Sequence, residues 1–249
     1  MQQIRVWDLP TRVFHGLLFL GVLVTLITGE EGEEGVLSIH QIFGFLVMAL
    51  LIFRVIWGIV GTRHARFASF IRGPATVLPY MRALLRFSPP ASLGHNPLGA
   101  WMVVLLLVDL VIVVGTGLFA GKSEDDGEDE AADAADEVPL SGLDGDGGEG
   151  AGEGAPFADL VSPGTADFLS GVHAVFANLL IALIVIHVLG VLLDWLLTRD
   201  NVVRAMITGE KTMKPEFEPA QAIKSSRLYL AIPLALIAIG LTCYVAVLG

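Results

Sequence analysis

Histidines are the residues of this chain whose type and spacing best fit a chemical role. An ionisable side chain inside an apolar span is costly unless it has a partner, so a histidine there indicates ligation or another specific role. The single cysteine, Cys243, excludes a thiolate-bound iron–sulfur cluster, an intrachain disulfide and the two-cysteine attachment of a c-type haem. Metal ligation by imidazole needs no cysteine. The six histidines are His15, His40, His64, His95, His173 and His187, of which the first two and the last two lie in or beside apolar runs.

Five apolar runs are long enough to cross a membrane as helices, and they must position these histidines. The chain is 54% hydrophobic and 16% charged, with a mean hydropathy of +0.70, which is typical of an integral membrane protein rather than of a soluble enzyme. The runs do not alternate as strands do, so the predicted fold is all-α. They are Val13–Thr28, Val36–Val60, Leu98–Ala120, Gly171–Leu197 and Leu228–Leu248.

Charges in the connections predict the orientation of the spans, because Lys and Arg in short loops stay on the cytoplasmic side. Residues 61–97 carry five arginines and no acid, and residues 198–227 carry six basic residues. Residues 30–38, in contrast, hold four glutamates and no base, and residues 121–170 hold fifteen acids and one lysine. The predicted N-terminus is therefore cytoplasmic and the predicted C-terminus lies outside.

Three connecting segments have a character of their own. Residues 76–87 place apolar side chains along one stripe beside two arginines, which predicts a short helix on the cytoplasmic membrane surface. Residues 122–154 are rich in Asp, Glu, Gly and Ala and are predicted to be disordered. Asn96 before Pro97 predicts the start of the third span, as an N-cap followed by a proline in the first turn.

The predicted organisation has four parts. They are residues 1–121 with three spans and the basic connection, residues 122–166 as an acidic and largely disordered external loop, residues 167–211 with the fourth span and a cytoplasmic tail, and residues 212–249 with a linker and the fifth span. The acidic loop has two interpretations: a solvating segment, or a region that attracts a basic partner.

The topology pairs the span histidines in two layers. His173 and His187 are 14 residues apart on the fourth span, which places them on one face and about 21 Å apart along the axis. His15 enters the first span from the cytoplasmic side, whereas His40 enters the second span from the outside. We therefore expect His15 to meet His187 in the inner half of a bundle. His40 is expected to meet His173 near the outer surface.

Two opposed histidines in each layer fit the axial ligands of a b-type haem, in which one imidazole nitrogen binds the iron from each side of the ring. Two such haems stacked across the membrane form an electron path. Arg54 lies on the second span, on the face of His40 but in the inner half. It is interpreted as a partner for a haem propionate, with the alternative that it reaches the cytoplasmic headgroups.

Four further residues leave alternatives open. His64 and His95 lie in the basic connection, where solvated or capping roles are expected, although an inner quinone site is a second interpretation. Asp109 lies in the middle of the third span, where a carboxyl group is costly unless it is neutral or paired. It is interpreted as structural, with a proton relay as the alternative. Asp194, near the inner end of the fourth span, is expected to reach the interface.

Four longer segments carry a family resemblance. They are VWDLPTRVFHG at 6–16, RVIWGIVGTRHARF at 54–67, GHNPLGAWM at 94–102 and NVVRAMITG at 201–209. These segments resemble the bacterial cytochrome b561 family, which is related to the di-haem cytochrome b subunits of membrane-bound hydrogenases. The resemblance covers roughly residues 4–121 and 167–211. The fifth span and the acidic loop depart from the family pattern, and neither contains one of the paired histidines.

The resemblance implies a four-helix transmembrane haem-binding bundle plus a fifth C-terminal transmembrane helix. It implies two non-covalent haem b groups, with the iron bound by His15, His40, His173 and His187. The implied protein lies in the bacterial inner membrane and transfers electrons between the quinone pool and a redox partner. That partner is a hydrogenase-type subunit or a periplasmic c-type cytochrome at the external face, or a small oxidant. Membrane lipid surrounds the spans, nothing indicates nucleic-acid binding, and no catalytic residue is expected.

A non-redox membrane protein, such as a metal transporter or an assembly scaffold, is the alternative function. It predicts histidines clustered within a few ångströms of one another around a transition metal. The predicted separation of the histidines into two distant layers favours electron transfer.

Overall fold

Helices dominate the computed structural model, which describes residues 2–29, 34–90, 92, 94–121, 155–199, 201–213 and 222–248. The stretch predicted to be disordered, residues 122–154, lies outside the described residues. In chain order the elements are β1 (Gln2–Arg5), α1 (Leu9–Thr28), α2 (Glu34–Val60), α3 (Phe67–Phe70), α4 (Pro74–Leu85), α5 (Pro97–Gly117), a 3-10 turn (Ala158–Leu160), α6 (Pro163–Thr198), α7 (Val202–Thr208), β2 (Glu210–Met213) and α8 (Leu228–Leu248). Within these ranges five helices, α1, α2, α5, α6 and α8, are long and apolar enough to cross a membrane. The prediction of an all-α integral membrane fold is confirmed.

Polar caps and prolines begin the spans. The Asp8 carboxylate accepts the Thr11 amide at 2.7 Å and caps α1. The Asn96 side chain accepts the Gly99 amide at 2.7 Å and caps α5, which confirms the predicted start of that helix. Helix α6 begins at Pro163, well before the predicted apolar run and inside the segment expected to be loop. The difference arises because hydropathy marks the part of a helix that lies in lipid, not its whole length.

Four spans form the bundle that the sequence predicts. Helix α1 packs on α2, and α5 packs on α6, while α2 also contacts α5 and joins the two pairs. A buried apolar cluster draws on all four helices, with Val22, Val47, Leu110 and Leu180 among its members. Burial of one contiguous cluster by four helices gives the bundle a single interior in which facing side chains can hold a cofactor.

The fifth span, α8, packs on the side of α2. Ala231 and Ala238 are buried there against a cluster that includes Leu50 and Trp57 of α2. Small residues let two membrane helices approach closely, so these alanines explain the contact. This helix lies beside the bundle rather than in its interior.

A small cap at one end joins distant parts of the chain. Strands β1 and β2 pair antiparallel with Arg5 opposite Glu210, and the Val6 amide donates to the Gly209 carbonyl at 2.9 Å. The Arg12 guanidinium donates to the Met206 carbonyl at 3.2 Å. We call this end of the bundle the inner end and the opposite end the outer end. The sequence analysis predicted no strand here, because the two four-residue strands are stabilised by pairing between segments that are distant in the sequence, with Gln2 opposite Met213.

Helix α4 is the short helix that residues 76–87 predict, and it begins slightly earlier than expected. Its Tyr80 side chain is buried, while Leu78, Met81 and Leu85 are exposed. An exposed apolar stripe beside Arg82, in a helix at the membrane boundary, fits the predicted position on the membrane surface.

Candidate functional site

Two histidines face each other in the outer half of the bundle. His40 on α2 and His173 on α6 have ring centroids 6.2 Å apart, with their planes inclined by 71°. Two metal–nitrogen bonds of about 2 Å each, added to the half-widths of the two rings, give a span of about 6 Å. The separation therefore fits two imidazoles that bind one iron atom from opposite sides.

Backbone carbonyls orient both of these imidazoles. The Nδ1 atom of His40 lies 3.0 Å from the Thr25 carbonyl oxygen, and Nδ1 of His173 lies 2.9 Å from the Val113 carbonyl oxygen. A carbonyl oxygen only accepts hydrogen bonds, so each Nδ1 carries the proton and donates it. Each Nε2 then keeps its lone pair, which is the form of histidine that binds a metal.

A cavity of about 350 Å³ lies beside the two rings. All four bundle helices line it, and most of the lining side chains are apolar, with Val22, Met48 and Leu180 as examples. Its volume falls within the range of pockets that hold organic ligands. The walls suit a flat, mostly apolar macrocycle, and Gly44 on α2 gives such a ring room to approach the backbone.

The second histidine pair lies toward the inner end. His15 on α1 and His187 on α6 are close enough for their rings to interact electrostatically. No hydrogen bond from either ring to a residue that the structure describes accompanies this contact. The structure thus places the His40 and His173 rings against each other and His15 within electrostatic range of His187.

Arg54 is buried beside Phe14, the neighbour of His15 on α1, with 3% of its surface exposed. Its Nη1 donates to the Ala65 carbonyl at 3.2 Å, and its guanidinium carbon lies 4.6 Å from the centre of the Phe67 ring. The depth of the side chain contradicts the alternative in which Arg54 reaches the headgroups. A buried cation in this position can neutralise an anionic group at the inner end.

The described part of the chain contains no group of three or more His, Cys, Asp or Glu side chains that could hold a metal ion. A transported or structural metal needs such a cluster. His40 and His173 face each other as a pair instead.

Comparison with known proteins identifies the family. The sequence profile of the prokaryotic cytochrome b561 family matches residues 6–209. The chain belongs to the prokaryotic cytochrome b561 family. The "Probable Ni/Fe-hydrogenase B-type cytochrome subunit" of Rhizobium leguminosarum bv. viciae is 24% identical over 238 residues, which cover 86% of this chain and 90% of that protein. No solved structure matches the chain.

This cytochrome b561 is a multi-pass membrane protein that acts in electron transfer as a b-type cytochrome. Haem b is the cofactor that its family implies. The residues present fit that group. The outer pair has the separation, the tautomer and the apolar cavity that bis-imidazole ligation requires. The assignment of His15, His40, His173 and His187 as ligands, and of Arg54 as a cofactor-binding residue, stays a prediction.

His95 differs from its predicted role in this cytochrome. Its Nδ1 atom is buried without a hydrogen-bond partner, and its ring lies 4.7 Å from the Trp7 ring and 4.5 Å from the Phe70 ring between centroids. Burial, with a further contribution from the Arg54 charge, lowers the pKa of His95 to about 3. The structure thus gives His95 aromatic packing contacts and a buried Nδ1 atom, which the expectation of a solvated or capping side chain did not include. Its aromatic neighbours are distant in sequence, so no local pattern reveals them.

Gly117 is a site residue that the sequence analysis missed. A Cβ atom at this position would lie 2.9 Å from Cε1 and 3.0 Å from Nδ1 of His173. The absence of a side chain therefore lets α5 approach the imidazole closely enough for Val113 to accept its hydrogen bond. Glycine is frequent in membrane helices for packing alone, so the sequence gives no signal that separates this glycine from the others.

Two carboxylates have roles that the sequence left open. The Asp194 Oδ1 atom accepts from Asn96 Nδ2 at 3.2 Å and from the Tyr80 hydroxyl at 3.4 Å, so Asp194 joins α6 to α4 and α5 rather than reaching the interface alone. Asp109 is buried, and neither of its oxygens bonds to a residue that the structure describes. No continuing chain of polar groups accompanies it among these residues, which favours the structural interpretation over a relay.

Proposed function

We propose that this cytochrome binds two haem b groups, one between His40 and His173 and one between His15 and His187. The observation that carries the proposal is the outer pair, with ring centroids 6.2 Å apart and each Nδ1 held by a backbone carbonyl. For the inner pair the support is that His15 on α1 lies within electrostatic range of His187 on α6. Haem iron held by these imidazoles would supply one-electron redox chemistry.

The protein's own groups then have distinct tasks. The imidazoles would hold the metal, and the carbonyls of Thr25 and Val113 fix their orientation and raise their basicity. The apolar bundle interior would keep water away from the sites. Arg54 would neutralise a carboxylate at the inner site, since it is a buried cation beside Phe14, the neighbour of His15.

Quinone of the membrane pool is the proposed partner at the inner end. A cavity of about 450 Å³ lies there, lined by Gly58, Ile59, Arg66 and Phe67 among others. Phe67 also contacts the Arg54 guanidinium, so the cavity borders the inner site. Its mixed polar and apolar lining suits a ring with carbonyl oxygens.

The proposed location is the bacterial inner membrane, with the N-terminus cytoplasmic and the C-terminus periplasmic. The cap supports this orientation, because β1 and β2 bring the N-terminus and the basic tail after α6 to one end. The Lys211 ammonium donates to the Ser92 carbonyl at 2.6 Å and ties the basic connection to the same end. All segments rich in positive charge thus share one side, as the charge rule requires. A C-terminal alkaline phosphatase fusion, active only when exported, tests the assignment.

A redox partner at the external face completes the electron path. The name of the Rhizobium relative points to a hydrogenase-type subunit, and a periplasmic c-type cytochrome is the other candidate. Membranes that contain the protein distinguish the two. Reduction of the haems under hydrogen supports the first partner, whereas reduction by an added ferrous c-type cytochrome, with no response to hydrogen, supports the second.

Haem counting tests the proposal directly. The purified protein is expected to give two haem b per chain in a pyridine haemochrome assay and a b-type reduced-minus-oxidised spectrum. His15→Ala and His187→Ala should lose the same haem, and His40→Ala and His173→Ala the other. His64→Ala, which changes a histidine outside both pairs, is the control and should keep both. A folded wild-type protein without haem, or loss of one common haem in His15→Ala and His40→Ala, contradicts the proposal.

A further inference from the structure

The inner end of the bundle holds a polar atom without a hydrogen-bond partner among the described residues, Nδ1 of His95, and a buried cation, Arg54. Two aromatic rings link them, because the Arg54 guanidinium lies over the Phe67 ring and Phe67 contacts Phe70, which packs on His95. The His95 ring is also within electrostatic range of Arg54, His15 and His187. A buried polar atom without a partner is rare in a native protein, so it calls for an explanation.

The His95 ring is fixed in place by aromatic side chains. The Trp7 ring, just after β1, lies 4.7 Å from it between centroids. The Phe70 ring, on α3, lies 4.5 Å from it. These contacts cover the Nδ1 side of the ring, and that atom is buried without a hydrogen-bond partner among the described residues. Because burial and the Arg54 charge keep the imidazole neutral, it offers one N–H donor without adding a positive charge.

Arg54 carries a charge that no described carboxylate pairs. It forms no ion pair with an acid that the structure describes. Asp8 is the acid whose charge acts on it, but the Asp8 oxygens bind the Thr11 amide and the Thr62 hydroxyl instead. Asp8 therefore stabilises the Arg54 charge without a direct ion pair, and an anion in direct contact would offset more of the cost of burying that charge.

We propose that His95 Nδ1 and the Arg54 guanidinium together bind a carboxylate, and that this carboxylate is a propionate of the inner haem. The inference rests on the proposed function and extends it by assigning His95 as a binding residue beside Arg54. A carboxylate satisfies both groups at once, because it supplies a negative charge for Arg54 and an acceptor oxygen for the His95 N–H. The nearby His15 and His187 place the inner haem at the same end.

This site also couples the cap to the redox properties of the inner haem. Trp7 holds the His95 ring and follows β1, so the strand pairing fixes the position of the donor. A donor and a cation beside a propionate lower its effective negative charge, which favours the reduced, less positive iron. Loss of either group is therefore expected to lower the midpoint potential of this haem and leave the outer haem unchanged.

Redox titration of the purified holoprotein tests the assignment. His95→Phe keeps an aromatic ring between Trp7 and Phe70 but removes the donor, whereas His95→Gln restores an N–H donor. In His95→Phe the ferrous-to-ferric ratio of one haem at a fixed potential should fall by up to about tenfold, which is about 59 mV for one electron. His95→Gln should recover most of that shift. The affected haem must be the one that His187→Ala loses.

Arg54→Gln provides an independent arm, with Arg63→Gln as its matched control because Arg63 is an exposed arginine on the connection that follows α2. Arg54→Gln should lower the midpoint potential of the same haem, whereas Arg63→Gln should not. This comparison tests the site by itself if His95→Phe fails to assemble. Equal potentials in all variants with two haems bound would overturn the inference and leave the proposed function intact. A shift that appears only when quinone is added would assign the groups to quinone and also overturn it. Wild-type protein without haem would instead refute the proposed function.

Discussion

Replacement of Gly117 by alanine is predicted to weaken the outer haem site specifically. The new methyl group would stand 2.9 Å from Cε1 and 3.0 Å from Nδ1 of His173, whereas nonbonded carbon atoms are most favourable about 3.5–4.0 Å apart. The imidazole cannot retreat freely, because its Nδ1 donates to the Val113 carbonyl at 2.9 Å. The ring must either give up part of that hydrogen bond or leave the position from which it faces His40.

The two opposing contributions to this change can be compared. Inserting a methyl group into a packed site costs about 1–3 kcal/mol. Alanine is also a better helix residue than glycine by about 0.5–1 kcal/mol in a helix interior, and by less at the last residue of α5. The net loss at the outer site is therefore about 1–2 kcal/mol, which corresponds to a fall in haem affinity of roughly 5- to 30-fold.

Haem transfer to apomyoglobin measures this affinity, with the outer haem identified as the spectral component missing in His173→Ala. Gly115→Ala is the matched control, because it lies on the same helix and a Cβ there meets no atom within 4 Å. Gly117→Ala should release the outer haem faster, while the inner haem and the control remain as in the wild type. Equal release from the two alanine variants would refute the steric reasoning.

Three further changes have definite expected outcomes. Asp8→Ala removes the cap that binds the Thr11 amide and the Thr62 hydroxyl. The free energy of unfolding, measured in detergent, should therefore fall by about 2–4 kcal/mol. A fall below about 0.5 kcal/mol would contradict that role. Burial and a neighbouring carboxylate raise the pKa of Tyr80. Its neutral form therefore stabilises the fold below about pH 10, and that contribution is lost as the pH rises further. Tyr80→Phe should make the free energy of unfolding less dependent on pH in that range, and an unchanged slope would argue against the effect. Asp109→Leu removes a buried carboxyl without a described partner and should stabilise the fold by about 1–3 kcal/mol with unchanged electron transfer, whereas slower transfer at full haem content would indicate the proton relay.

The fold was largely predictable because local hydropathy identifies membrane helices. The five spans, the Asn96 cap of α5 and the contact between His40 and His173 all follow from sequence spacing and loop charge. These features depend on residues near one another or on the alternation of sides that five crossings impose.

The unpredicted features depend on contacts between distant segments. Three of them join residues that are far apart in the chain: the pairing of β1 with β2, the packing of His95 against Trp7, and the hydrogen bonds of Asp194. Hydropathy does not indicate which segments pack against one another at the inner end of the bundle. The environment of Gly117 also needed the structure, because its role depends on the ring position of His173 on another helix.

The two histidine layers differ in a way that predicts the direction of electron transfer. In the outer layer both imidazoles donate Nδ1–H to carbonyls, which makes them more basic ligands and favours ferric iron. In the inner layer neither ring makes such a bond to a described residue, and the buried Arg54 charge favours ferrous iron. The outer haem should therefore have the lower midpoint potential, so electrons move downhill from the outer face toward the inner end. Redox titration of His173→Ala checks this order, because the haem that remains should titrate at the higher of the two wild-type potentials. If it titrates at the lower one, the ligand hydrogen bonds and Arg54 do not control the potentials.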